Sequence, residues 1–162
     1  MAPRKKFDLS SLPERPDLSF EIEMWEKGFR FVAGIDEAGR GALAGPVAAG
    51  AVVLPEKRSD LYEKLNGVQD SKVMTPEDRA FWALEIKATA VGWGVGFASC
   101  TEIDEVGILP ATYLAATRAL AKLKCPVEHL LLDFIHLPDV EILQTSLVKG
   151  DARSLSIAAA SI

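Results

Sequence analysis

Asp36, Glu37, Asp133 and Asp151 are the residues of this sequence whose positions point most directly to chemistry. Asp36 and Glu37 directly follow the apolar run Phe31-Val32-Ala33-Gly34-Ile35. Asp133 closes the run His129-Leu130-Leu131-Leu132, and Asp151 follows the run that ends at Val148. A carboxylate at the end of a buried strand needs a partner, because burying an unpaired charge is costly. A basic side chain is the usual partner, and a hard divalent cation bound through oxygen is the alternative. Neighbouring strands could bring these acids together. They would then repel one another, so such a site makes sense mainly with metal present. Two ions held in this way can activate a water and stabilise the leaving oxygen of a phosphodiester. The plainer alternative is a set of unconnected surface acids.

A glycine-dense loop, Asp36 to Gly45, follows the first of these acids. Gly39, Gly41 and Gly45 loosely follow the spacing of a dinucleotide-binding turn. Such a turn leads into a helix, however, whereas Pro46 onward reads as a strand. The two acids ahead of the glycines would also repel a pyrophosphate unless a cation intervened. Arg40, between the glycines, can itself supply a phosphate contact. Glycines there let a nucleic-acid backbone come close to peptide N–H groups. A tight turn without a ligand is the simpler alternative.

The elements that must position these residues can be read from periodicity. Leu18 to Phe29 reads as a short helix with Phe20, Met24 and Trp25 on one face. Phe31–Ile35 and Pro46–Leu54 read as two buried strands forming a hairpin-like pair. Thr75-Pro76-Glu77-Asp78 is a helix start with a threonine cap, proline at the first helical position and an acid at the capping-box position. That helix is expected to run to about Ala90 with Phe81, Leu84 and Ala88 inward. Val91 to Ser99 alternates apolar residues with glycine and reads as a third strand approached closely by another backbone. Pro110 to Lys124 reads as a helix, with Leu109, Tyr113, Ala116, Leu120 and Leu123 at helical spacing. His129–Asp133 and Thr145–Val148 are two further strands, and Ser154 to Ala160 opens a last helix. A mixed α/β sheet is the expected architecture. His129 reads as a strand-edge residue, His136 as a loop residue, and Trp82 and Trp93 as packing residues.

Composition narrows the function classes. The chain has 162 residues, 49% hydrophobic and 25% charged, so it is long enough for one domain with a core and is neither disordered nor a disulfide scaffold. Its formal net charge of −5 argues against holding nucleic acid by bulk charge alone, though not against a local basic groove. Cys100 and Cys125 are far apart without metal or redox spacing, which fits a reduced, cytoplasmic setting. No run is long and apolar enough to span a bilayer, so no membrane association is expected. Residues 1–16, with Pro3, Pro13 and Pro16 among charges, read as a flexible N-terminal arm ahead of a domain over 17–162.

Several segments resemble, in order along the chain, the motifs of ribonuclease HII, the type 2 ribonuclease H family. They are Gly34-Ile35-Asp36-Glu37-Ala38-Gly39-Arg40-Gly41 with Gly45-Pro46-Val47, then Asp70-Ser71-Lys72 with Arg79, then Glu102-Ile103-Asp104 with Ala111-Thr112. Leu132-Asp133 and Lys149-Gly150-Asp151 with Ala158-Ala159-Ala160-Ser161-Ile162 complete the series. The resemblance implies a ribonuclease H-like fold, a mixed central sheet flanked by helices. It implies an endoribonuclease that hydrolyses the RNA strand of RNA–DNA hybrids. The same enzyme would incise at single ribonucleotides embedded in duplex DNA, leaving 5′-phosphate and 3′-hydroxyl. Asp36, Glu37, Asp133 and Asp151 match the family's catalytic acids, which hold Mg²⁺ or Mn²⁺. Gly39, Arg40 and Gly41 match the loop that senses the ribose 2′-hydroxyl and a neighbouring phosphate. Ser71, Lys72 and Lys149 are expected near the substrate, and a monomer is expected.

The sequence departs from the family pattern at Ala42, where a proline is common, at Val73, where a lysine is usual, and at Phe134, where a glycine is frequent. Family members continue past the Ala-Ser-Ile segment into further helices that carry a nucleotide-stacking tyrosine. The tyrosines here, Tyr62 and Tyr113, both precede Asp133. The resemblance therefore implies a C-terminally truncated domain, and leaves a sliding clamp unassessed as a partner. Competing readings are a weak or silent hybrid-binding fragment of the same fold, and a nucleotide-binding oxidoreductase domain.

Overall fold

The computed structural model describes residues 7, 8, 10 and 12–162. Five strands form one mixed sheet in the order β3-β2-β1-β4-β5. β1 (Val32–Ala38) pairs antiparallel with β2 (Val47–Val53), which pairs antiparallel with β3 (Gly92–Ala98). On the other side β1 runs parallel to β4 (His129–Asp133), and β4 runs parallel to β5 (Leu143–Leu147). The expected hairpin-like pair and mixed sheet are both present.

Helices cover the two faces, and glycines in the strands determine how close they come. α5 (Ile108–Leu120) packs on β3 and β2, where a Cβ at Gly94 would run into the Ala119 carbonyl and one at Gly96 into the Ala115 carbonyl. α6 (Leu155–Ser161) lies over β1 and β2, where Gly34 faces the backbone of Ser156 and Ile157 and Gly50 faces the Ala160 carbonyl. Gly94 pairs with Ala51, the neighbour of Gly50, and successive strand residues point to opposite faces. The two helices therefore grip opposite sides of the sheet. The close backbone approach expected at β3 is supplied by α5. That helix buries its small face, Ala111, Thr112, Ala115, Ala116 and Ala119, while Tyr113, Leu120 and Leu123 pack only partly against the same core. It also begins two residues earlier than its periodicity suggested, after Gly107 in a left-handed conformation.

Several expectations are corrected. The helix capped by Thr75, α3 (Pro76–Thr89), has its cap, with the Asp78 N–H donating to Thr75 Oγ1 at 3.1 Å. Its inward face, however, carries Ile86 and Trp82, whereas Phe81 and Leu84 are 55% and 67% exposed and Ala88 is also exposed. Two apolar stripes on one helix offered two phases, and the cluster around Val52, Leu61 and Leu65 selected the one containing Ile86. Of the two roles open to Trp93, core or packing, the structure shows surface packing: it is half-exposed on the edge strand β3, with the Lys87 ammonium 4.9 Å from its ring centroid. His129 is buried at the start of β4, an interior strand, and its Nε2 meets Thr145 Oγ1 at 2.9 Å. Two short helices escaped the periodicity reading: α2 (Leu61–Lys64), and α4 (Cys100–Val106), whose start is fixed by a capping box between Ser99 and Glu102.

The N-terminal helix α1 (Ser19–Glu26) does more than cover the sheet. Glu21 is fully buried, and its Oε1 accepts from Ser154 Oγ (2.6 Å), Ser156 Oγ (2.6 Å) and the Ser156 N–H (2.9 Å). The Asp17 N–H donates to the Arg153 carbonyl at 3.2 Å, and the Leu155 N–H donates to the Asp17 carbonyl at 2.8 Å. Residues 17–21 thus clamp the chain between Asp151 and α6. Much of the proposed flexible arm lies outside the described residues. Within the described part, Pro16 is buried and Arg15 Nη1 donates to the Asn66 carbonyl at 3.1 Å.

Gly96→Ala should lower stability, because a methyl group there meets backbone of α5 that cannot swing aside. The overpacking costs about 1–3 kcal/mol or more, or roughly 2–4 °C in Tm per kcal/mol for a chain of this size. Gly41→Ala, whose Cβ meets nothing within 4 Å, should leave Tm unchanged. Thermal unfolding of the two variants checks the contrast.

Candidate active site

The two central parallel strands deliver their carboxylates to the same end of the sheet. Asp36 follows Gly34 by two residues, and Asp133 follows Leu131 by two, so both lie on the face covered by α6. Asp151 reaches the same place from a 3-10 turn, Gly150–Ala152, and is buried. The turn is tied to the sheet by the Gly150 N–H, which donates to Asp133 Oδ1 at 2.7 Å. A Cβ at Gly150 would run into the Ile157 side chain and come within 3.4 Å of Asp133 Oδ1, so glycine lets the turn seat against Asp133. Glu37 alternates to the other face of β1, and its Oε1 accepts from Arg40 Nη1 at 3.3 Å.

The electrostatics match this convergence. Burial, then the charges of Asp133 and Glu37, push the Asp36 carboxyl up from 3.8 to about 8, and Asp151 adds to the shift. Burial also raises Asp133, against the lowering effect of the Gly150 N–H. Lys72 Nζ sits 3.2 Å from Asp151 Oδ2 and 3.7 Å from Asp70 Oδ1. Partial burial alone would lower the Lys72 ammonium, but its hydrogen bond to Asp151 and the surrounding acids outweigh that and raise it. Two carboxylate oxygens, Glu37 Oε2 and Asp151 Oδ1, are buried with no hydrogen-bond partner.

These orphaned oxygens and the all-oxygen donor set suit a hard divalent cation. Among the described residues, no group of three or more His, Cys, Asp or Glu side chains is already drawn together tightly enough to hold one. The acids are thus gathered but not closed around a centre, and the Lys72 ammonium sits against Asp151.

Beside the acids is a cleft of about 280 Å³ lined by Glu37, Arg40, Asp133, Phe134, Val148 and Lys149. The loop over it turns through Gly39, at φ +90°, where a Cβ would press on the Pro46 carbonyl oxygen. Gly41 is exposed with open space around it. Arg40 and Lys149 therefore meet the acids at this cleft. Ser71 is placed differently, its N–H donating to Ser161 Oγ of α6 at 3.1 Å and its carbonyl accepting from Arg79 Nη1. A larger hollow of about 750 Å³ at the start of β3 is lined by Lys87, Trp93, Lys122 and Lys124 and has no acid in its wall.

Sequence reasoning missed three contributors. Asp70 is a second partner of Lys72 and accepts from the Lys72 N–H at 3.0 Å, a local turn that Asp-Ser-Lys could have signalled. Glu21 and the Gly150 N–H act across the fold and left no local signal. No helix among the described residues is long and apolar enough to cross a membrane.

A five-stranded mixed sheet flanked by helices, with carboxylates gathered at the ends of its central strands, defines a ribonuclease H-like fold with an acidic site. Among solved structures it is similar to the ribonuclease H2 of Pyrococcus horikoshii OT3 (TM-score 0.67, 29% identity, covering 80% of this chain and 68% of that one). It is also similar to the structure of the PCNA:RNase HII complex from Archaeoglobus fulgidus (TM-score 0.62, 26% identity, 81% and 69%). The ribonuclease HII of Synechococcus sp. (strain JA-3-3Ab) is 52% identical over 148 residues, 91% of this chain and 66% of that protein. That of Dehalococcoides mccartyi is 46% identical over 147 residues, 91% and 69%. The family model for ribonuclease HII matches residues 33–162. The chain belongs to the ribonuclease HII family, and it spans between about half and about two thirds of the length of the curated relatives it matches.

Asp36 gives a pH prediction whose sign is fixed. Its folded pKa of about 8 lies above its ordinary 3.8. Between those values the folded state holds a proton that the unfolded state has lost, so this residue's contribution to stability falls as pH rises from about 4 to 8. In metal-free buffer, Asp36→Asn should unfold at a higher temperature than the parent at pH 8, and the gap should close towards pH 4. A constant gap across that range would contradict it.

Proposed function

We propose that this chain is a metal-dependent endoribonuclease. It hydrolyses the RNA strand of RNA–DNA hybrids and incises at single ribonucleotides embedded in duplex DNA, leaving 5′-phosphate and 3′-hydroxyl ends. One observation carries the reading: in a chain of this family, carboxylates whose burial, together with their mutual repulsion, lifts Asp36 to about 8 adjoin a cleft lined by Arg40 and Lys149.

Asp36, Glu37, Asp133 and Asp151 would hold Mg²⁺ or Mn²⁺. A pair of such ions, when bound, supplies the missing counter-charge and activates water for attack on phosphorus. The protein's own groups do the rest. Strand ends and the Gly150 hydrogen bond fix the carboxylates, so little reorganisation accompanies the reaction. Arg40 and Lys149 orient the phosphodiester in the cleft. Gly39 and Gly41 let the loop backbone reach the ribose 2′-hydroxyl, the group that separates RNA from DNA. Lys72 compensates Asp151 before ions arrive.

The test is incubation with Mg²⁺ or Mn²⁺ and a DNA duplex carrying one ribonucleotide. Incision at the ribonucleotide is expected, with a loss of at least ~100-fold in Asp36→Asn, the scale on which removing one charge-stabilising group acts. Mn²⁺ should raise Tm of the parent by mass action and raise that of Asp36→Asn much less. Binding of the duplex without incision would favour the hybrid-binding reading. No duplex binding, together with stabilisation by a nicotinamide cofactor, would favour an oxidoreductase.

A further inference from the structure

Phe134 follows Asp133 directly and stands on the wall of the acidic cleft, 69% exposed. Its backbone has φ +61°, a left-handed conformation that bulky residues rarely adopt. Two hydrogen bonds hold it there: the Phe134 N–H donates to the Leu147 carbonyl at 2.9 Å, and the next residue's N–H, of buried Ile135, donates to the Asp133 carbonyl at 2.7 Å. The backbone is thus pinned at the cleft wall, with the exposed side chain contributing to the lining. Neither its exposure nor its backbone favours the folded state, and strain of this kind gathers where a side chain has a binding task. Lys149, across the same cleft, is also left-handed, at φ +58°.

The chemistry of the lining points to one ligand class. Arg40 and Lys149 offer positive charge for a phosphate, and Phe134 offers an exposed aromatic ring in the lining of the same cleft. A nucleotide has both complements, and stacking on an aromatic ring tolerates any base because every base has a π-face. We propose that Phe134 is a stacking platform for a nucleobase of the bound strand, adjacent to the phosphate that Arg40 and Lys149 hold. The inference rests on the functional reading above and adds to it a subsite that sets where the strand lies relative to Asp133.

Fluorescence anisotropy with the full chain tests it, in an Asp36→Asn background with Mg²⁺ so that the duplex survives. The probe is a DNA duplex with one ribonucleotide, alongside copies carrying an abasic site at each flanking position in turn. Phe134→Gly should weaken binding about 10-fold, within the roughly 5- to 150-fold that stacking of one base represents. Phe134→Tyr should bind within about twofold of the Phe134 protein. At one abasic position the Phe134 protein should bind as weakly as Phe134→Gly, and Phe134→Gly should lose nothing further. Thermal unfolding of Phe134→Gly should be no lower than that of its parent, because glycine accepts the left-handed backbone without strain. Undiminished binding by Phe134→Gly, or an equal loss on every abasic duplex, overturns the proposal and leaves the functional reading standing. A lower Tm with unchanged binding makes the ring a packing residue and also overturns it. Failure of the Phe134 protein to bind any of the duplexes overturns both.

Discussion

The repulsion among carboxylates at the open end of the sheet is the constraint around which this structure is organised. Asp36, Asp133 and Asp151 come from separate parts of the chain, and in water they would keep apart. Here burial and mutual charge drive Asp36 to about 8. Such an arrangement persists only if the scaffold holds the acids in place. Local relief comes from the Gly150 N–H on Asp133 and from Lys72 on Asp151. Neither satisfies Glu37 Oε2 or Asp151 Oδ1, which remain buried without a hydrogen-bond partner.

The scaffold achieves this through contacts remote from the acids. Gly34 and Gly50 allow α6 to lie against the sheet with no side chain between, which sets the height of the turn that carries Asp151. Glu21 then fixes that turn sideways, with one carboxylate oxygen accepting from both Ser154 and Ser156. Burial pushes the Glu21 carboxyl up, and the serine donors pull against that shift. Truncating it would remove the shared acceptor of three buried donors, the expensive way to break a buried network. On the opposite face Gly94 and Gly96 play the same part for α5. The acidic end of the molecule thus depends on small residues in the strands and on one buried acid in α1.

Much of this was legible in the sequence, and the physical reasons differ by element. Strands β1 and β4 announce themselves as short apolar runs closed by an acid, and Thr75-Pro76 marks the start of α3 by local cap chemistry alone. The glycines of β3 foretold a close backbone contact because nothing else explains alternate glycines in a strand. The phase of α3 was not legible. Phe81, Leu84 and Ala88 form as good a stripe as Trp82 and Ile86, and only the partner surface around Val52 and Leu61 chose between them. Trp93 read as core or packing by its type; β3 is an edge strand, which leaves it half-exposed with the Lys87 ammonium over its ring.

For the site, the sequence by itself determined the donors: which carboxylates end apolar strands, which glycines flank Arg40, and through its motifs the family. Those are properties of residue type and spacing. Tertiary structure alone decided that the acids share one end of the sheet, that Lys72 reaches Asp151 across 79 positions of chain, and that Glu21 braces α6 from 135 positions away. It also decided that Phe134 stands in the cleft and not in the core. Each of those facts depends on strand order and on how closely helices approach the sheet. Both are settled by packing between distant segments, which leaves no periodic or local trace in the chain.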